Sequence, residues 1–130
     1  MSKVYLHRPG APDKLLGRVK DNGRVYRSDP GPDDMIGYVN LDSGKIYQTR
    51  LGPDKYIGRV NVENGKVYRH ISGGPDEYLG QTQQNGKLYR HEILSADEYI
   101  GKIADMISFT HAGAGFLLLL MPIIDERSQL

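Results

Sequence analysis

The chain has 130 residues, enough for one domain with a modest core, and 17 Lys and Arg against 16 Asp and Glu give a formal net charge of +1. So even a balance makes no electrostatic case for a nucleic-acid partner. The absence of Cys excludes disulfide scaffolds, thiolate metal sites and cysteine nucleophiles, and fits a reducing cytoplasm.

In chain order, the opening stretch MSKVYLHRPG reads as a strand through Val4-Tyr5 running into a Gly-containing turn. It has no apolar core of the kind a secretory signal needs. From there one phrase recurs. Tyr5, Tyr26, Tyr47, Tyr68 and Tyr89 lie 21 residues apart, each preceded by Val, Ile or Leu. Gly23, Gly44, Gly65 and Gly86 keep the same period. A second glycine follows an aliphatic residue in Leu16-Gly17, Ile36-Gly37, Ile57-Gly58, Leu79-Gly80 and Ile100-Gly101. Ahead of it stands a turn at Pro12-Asp13, Pro32-Asp33, Pro53-Asp54, Pro75-Asp76 and, in degenerate form, Ala96-Asp97.

Each unit therefore reads as strand, tight turn, strand, looser turn. Val, Ile and Tyr suit a pleated surface, while Asn-Gly and Gly-Pro-Asp are turn chemistry. Two-residue turns at Asn22-Gly23 and Asn85-Gly86 set Val19 opposite Tyr26 and Thr82 opposite Tyr89. The middle copies carry one residue more, which a three-residue loop with a bulge absorbs, so that Val39 faces Tyr47 and Val60 faces Tyr68. In that register the second glycine, the Val and the Tyr share one face, and both faces are half apolar. A glycine in mid-strand marks a close backbone approach.

After the strands comes Met106 to Ile124, with no formal charge. The length meets the lower limit for a membrane-spanning helix. Two readings follow: a tail anchor or lipid-binding element below a soluble head, or a helix apolar all round because hairpins bury it all round. We favour the second, since the whole chain has only two Phe and no Trp, and the repeats lack a core of their own. The expected class is thus mainly β, about ten antiparallel strands in a barrel-like or flower-like array around a buried C-terminal helix. One domain covers 1–130: repeats over 1–104, the helix over 105–124, a tail over 125–130.

The Gly-[KR]-[VIL]-Tyr turns at 23–26, 44–47, 65–68 and 86–89, followed by an apolar helix near 106–122, resemble the four-fold beta flower family, short bacterial proteins whose repeated hairpins surround a terminal apolar helix. The resemblance spans nearly the whole chain and implies a fold without an assigned activity. A looser similarity is to tubby-like and scramblase-like barrels, whose phosphoinositide binding transfers by analogy alone.

Catalytic signatures are missing. There is no phosphate loop, nucleophile elbow or HExxH, and GAGF at 113–116 has neither a preceding strand nor a third glycine. His7, His70 and His91 share one slot, two residues after Tyr, where other copies have Ser28 and Thr49. Converging on an axis they would make a metal ring; at strand ends they would be solvated, the plainer reading. His111 is the lone imidazole of the apolar tail and needs a partner such as a backbone carbonyl. The Asp residues after Pro lack the dense acidic spacing of calcium loops. Arg27, Arg69 and Arg90, with Gln48 in their slot, form a basic row whose field nearby acids cancel.

We therefore expect no cofactor and no catalytic residues. The expected role is a non-enzymatic structural or interaction module, cytoplasmic or membrane-associated, binding a protein partner, if any, through its hairpin turns. The partner's identity and the oligomeric state are not written in the sequence. Gly23, Gly44, Gly65 and Gly86, with Tyr26, Tyr47, Tyr68 and Tyr89, are structural.

Overall fold

A type of turn that opens with Asn sets the geometry of the wall. In the longer copies Asn40 Oδ1 accepts from the backbone N–H of Asp42 and Ser43, and Asn61 Oδ1 accepts from Glu63 and Asn64. The loop between Asn40 and Lys45 then closes with Gly44 N–H donating back to the Asn40 carbonyl. In the shorter copies Gly23 N–H donates to Lys20 and Gly86 N–H to Gln83. Gly23, Gly44, Gly65 and Gly86 have φ between +78° and +90°, where a side chain would be strained. Each of their carbonyls accepts from the next hairpin, at Val39, Val60, Thr82 and Ile103.

The structure, a computed structural model, describes residues 1–128. Ten strands run in chain order: β1 Ser2–Leu6, β2 Lys14–Val19, β3 Arg24–Arg27, β4 Asp34–Val39, β5 Lys45–Gln48, β6 Lys55–Val60, β7 Lys66–Arg69, β8 Glu77–Thr82, β9 Lys87–Arg90 and β10 Glu98–Ala104. Every strand pairs antiparallel with its sequence neighbours, and β10 returns to β1 to close a barrel. Of the barrel-like and flower-like arrangements, the closed barrel is the one formed. Closure leaves no free sheet edge among the described residues.

The register differs from expectation by one residue in every copy. Val19 pairs with Val25, Val39 with Ile46, Val60 with Val67 and Thr82 with Leu88. The tight loops are each one residue longer than the two- and three-residue turns expected, and a one-residue slip sends every side chain to the opposite face. Tyr26, Tyr47, Tyr68 and Tyr89 consequently face outward, and the aliphatic residue before each faces the core. A second device completes the inner face. Leu16, Ile36, Ile57, Leu79 and Ile100 are each the extra residue of a bulge, unpaired between the pairing of the glycine and that of the residue two before it. Strict alternation would have pointed them at solvent; the bulge turns them inward beside their glycines.

The chain leaves β10 at Asp105, in the left-handed region at φ 56°, with its carbonyl accepting from Ser2 Oγ at 2.7 Å. It then re-enters the barrel as one rod: α1 Phe109–Gly115, a π-helical turn Phe116–Leu120, and α2 Met121–Ser128. The helix thus starts later than 105 and runs past 124, so residues 125–128 are helical rather than tail. Phe109–Arg127 is long and apolar enough to span a membrane, and 72% of its apolar window is buried in the barrel.

The π-turn has a geometric cause. Five consecutive residues meet five mid-strand glycines, one each: Phe116 on Gly80, Leu117 on Gly58, Leu118 on Gly37, Leu119 on Gly17 and Leu120 on Gly101. Five repeats stand about 72° apart around the axis, whereas an α-helix advances about 100° per residue. Widening to an i→i+5 turn brings one residue per repeat into step with the wall.

Candidate functional site

The lumen is full. Phe116 through Leu120 are buried against Val4, Val19, Val25, Ile46, Val67 and Leu88, so any site lies at an end of the barrel or on its outside.

On the outside, the tyrosines of adjacent strands form clusters. Tyr38 stacks on Tyr47, with ring centroids 5.2 Å apart, and Tyr47 meets Tyr56 at 5.6 Å. Tyr68 meets Tyr78 and Tyr89 meets Tyr99, each at 5.5 Å. Cations lean on these rings from the tight-turn side: Lys20 over Tyr26 at 4.8 Å, Arg59 over Tyr68 at 4.1 Å and Lys102 over Tyr5 at 5.4 Å.

The histidine slot lies on the other side of the same clusters. His70 packs on Tyr56 with Nδ1 3.4 Å from Asp76, His91 on Tyr78 with Nδ1 3.3 Å from Asp97, and His7 on Tyr99 with Nδ1 3.6 Å from Asp13. Each imidazole thus takes the turn aspartate of its own copy. The three stand in successive repeats on the outer wall and do not converge on the axis. Among the described residues no three His, Cys, Asp or Glu side chains are grouped to hold a metal. The Arg59 guanidinium bonded to Asp76 holds that carboxyl below the usual range, with His70 a smaller help. Burial raises Tyr56, Tyr78 and Tyr99, and the neighbouring Asp76, Asp97 and Asp13 add to it.

His111 lies inside the tight-turn end and is 4% exposed. Its Nε2 is 2.9 Å from the Asp21 carbonyl and its Nδ1 is 2.8 Å from Ser108 Oγ. Because a carbonyl only accepts, the neutral ring carries its proton on Nε2. The histidine pins the start of the helix, capped by Ser108, to the first hairpin turn.

Charge is sorted along the barrel axis, which net composition hides. At the tight-turn end Arg24, Lys45, Lys66 and Lys87 each follow a turn glycine, with Lys20 beside them, while Lys102 pairs with Asp13 of the first wide loop at 3.7 Å. The acids of this end are Asp21, which binds the chain's N-terminal amine at 2.9 Å, with Asp42, Glu63 and Asp105. Most carboxylates sit at the far end, in the wide loops that carry Asp13, Asp33, Asp54, Asp76 and Asp97.

At that far end the helix covers the inner wall unevenly. Leu16, Leu79 and Ile100 are covered to 7%, 3% and 2% exposure, while Ile36 and Ile57 are only partly buried. Beside Ile57 opens a cleft of about 480 Å³, lined also by Tyr56, Arg69, His70, Met121 and Asp125. Within the arginine row, Arg69 grips Asp125 with one guanidinium nitrogen at 2.8 and 3.0 Å from its two oxygens, while Arg27 and Gln48 are exposed at the ends of their strands. Neither the cleft nor the polarity was foreseen. The signal for the polarity was present, since Lys or Arg follows every turn glycine and every wide loop carries an Asp, at 13, 33, 54, 76 and 97. Comparison with family models, with curated proteins and with solved structures finds no match to this chain.

Proposed function

We propose that the protein is a non-enzymatic interaction module that docks an acidic protein surface against the tight-turn end of its barrel. The observation that carries this reading is the sorting of charge along the axis, with a cation after every turn glycine. Two features of the fold support it. A barrel without a free edge offers no strand to an incoming peptide, and a barrel filled by its own helix offers no lumen to a ligand. What remains is side chains held on rigid turns, presented once per repeat. The interspersed Asp42 and Glu63 favour a protein surface of mixed charge over a continuous phosphate backbone.

The test is retention on immobilised polyglutamate. The wild-type chain is expected to bind at low salt and elute as salt rises, and Lys45→Glu/Lys66→Glu/Lys87→Glu is expected to pass through while keeping the wild-type circular dichroism. Failure of the wild-type chain to bind, or equal retention of the variant, would overturn the reading.

The length and apolarity of the helix support a second reading, membrane association. It requires the helix to leave the barrel, because the apolar surface a bilayer would take is spent on the glycine wall. Co-sedimentation of the folded chain with vesicles would favour it; a soluble supernatant species would remove it.

A further inference from the structure

The cleft at the barrel mouth has no part in docking at the opposite end, and its lining has a chemistry of its own. We propose that it binds a small amphipathic carboxylate, tail against Ile57, Ile71 and Pro122 and head group on Arg69.

Four observations converge. The volume, about 480 Å³, lies within the range of small-ligand sites. The apolar side is Ile57, which stays part-exposed while its equivalents Leu16, Leu79 and Ile100 are covered. Leu117 and Met121, both buried, form a firm floor beneath it. On the polar side Arg69, with Glu77 3.7 Å from its other nitrogen, and His70, paired with Asp76, reach one opening together with Lys55 and the Gln48 amide. Finally, the site already demonstrates its preference, since the Asp125 carboxylate is held by Arg69 at 2.8 and 3.0 Å. Asp125 is part-exposed on the last helical segment and acts as an internal stand-in for the ligand's head group. A ligand carboxylate would displace it, and Asp125 would turn to solvent.

The equivalent position two repeats earlier supplies a contrast. There Arg27 and Lys14 face Asp29 and Glu126 in a smaller cleft of about 320 Å³, with Ser28 in place of His70. The space is smaller and the imidazole is missing, so selectivity for the larger cleft follows from residues and not from the repeat itself.

The experiment is a ¹H–¹⁵N NMR titration of the full chain at neutral pH with sodium octanoate, and with 1-octanol as the neutral probe. Saturable shifts are expected at residues 48, 55–57 and 69–71 and not at 14, 27 and 28. Octanol is expected to bind at least tenfold more weakly. Asp125→Asn, which removes the internal competitor, should tighten octanoate severalfold. Arg69→Gln should abolish binding. Since Arg69 also anchors the helix, Lys55→Gln serves as a second variant; Lys55 is exposed and touches no helical residue in an ion pair, so a severalfold loss of affinity should come with an unchanged melting temperature. Non-saturable or scattered shifts would overturn the proposal. So would equal binding of octanol, or wild-type affinity in both Arg69→Gln and Lys55→Gln.

Discussion

Leu118 lies against Gly37 so closely that a β-carbon on the glycine would be 2.9 Å from both leucine methyls. The same atom would overlap the carbonyl oxygen of Tyr47 on the neighbouring strand. The leucine can retreat only by moving the helix, and the carbonyl only by breaking the wall. Gly37→Ala is therefore expected to destabilise by about 3 kcal/mol, the upper range of overpacking, read from the urea midpoint. Gly74→Ala is the control: nothing lies nearer its β-carbon than Ile71 Cγ2 at 3.8 Å, and its backbone is not left-handed. It should change stability by less than about 0.5 kcal/mol.

If the helix is the core, its loss is not graded. A chain ending at Asp105 is expected to show no cooperative melting by circular dichroism and to bind a hydrophobic dye. Shortening one contact should have a measured cost instead: Leu118→Ala, buried to 5% exposure, is expected to lose about 3 kcal/mol through transfer and cavity terms together. A truncated chain that melts cooperatively would refute the assignment of the core to the helix.

Thr82 occupies the inward slot that Val19, Val39, Val60 and Ile103 fill in the other copies. It is 1% exposed, and its Oγ1 finds no hydrogen-bond partner among the described residues. A buried hydroxyl left unpaired costs free energy that a methyl of the same size avoids. Thr82→Val is expected to stabilise by about 1 kcal/mol, seen as a higher melting temperature.

Alkaline stability should depend on the tyrosine belt. Burial raises Tyr38, Tyr56, Tyr78 and Tyr99 above the usual 10.0, with a hydrogen bond to Asp54 adding at Tyr38. A raised folded value means the native state favours the phenol. That contribution is complete below pH 10.0, the unfolded value, and is lost as pH rises through the raised folded values. The urea midpoint should therefore fall along the phenolate absorbance rise, and Tyr38→Phe should make the fall shallower.

Much of the architecture is legible in the residues because it is repeated. Glycine, a cation, an aliphatic residue and tyrosine recur in that order with one period, and a lone apolar stretch after ten short strands leaves little else for the hairpins to enclose. Register was harder. The Asn-x-x-x-Gly loop differs from Asn-Gly turn text by a hydrogen bond from the Asp42 N–H to Asn40 Oδ1 that composition does not display, and that one residue decides whether Tyr47 faces the core or the solvent. The bulge at Ile57 also breaks the alternation from which faces are inferred. As for the sites, equal spacing places His7, His70 and His91 in equivalent positions, but whether equivalence means an axis or a circumference depends on which face they occupy. The cleft beside Ile57 depends on how far the helix covers that one of five equivalent aliphatic residues, and no local pattern records it.

The helix that fits the five glycines is synthesised after all ten strands that enclose it. Hairpins such as β4–β5 close locally and quickly, and at roughly 5–20 residues per second they emerge in order. Each presents an inner face of valine and bare glycine with nothing yet to cover it. Barrel closure between β1 and β10 joins residues about a hundred positions apart, and such distant pairing is slow. During translation the growing chain thus carries an unfinished apolar trough, sealed only after residues 109–128 arrive, and this interval is where a chaperone's protection would matter most.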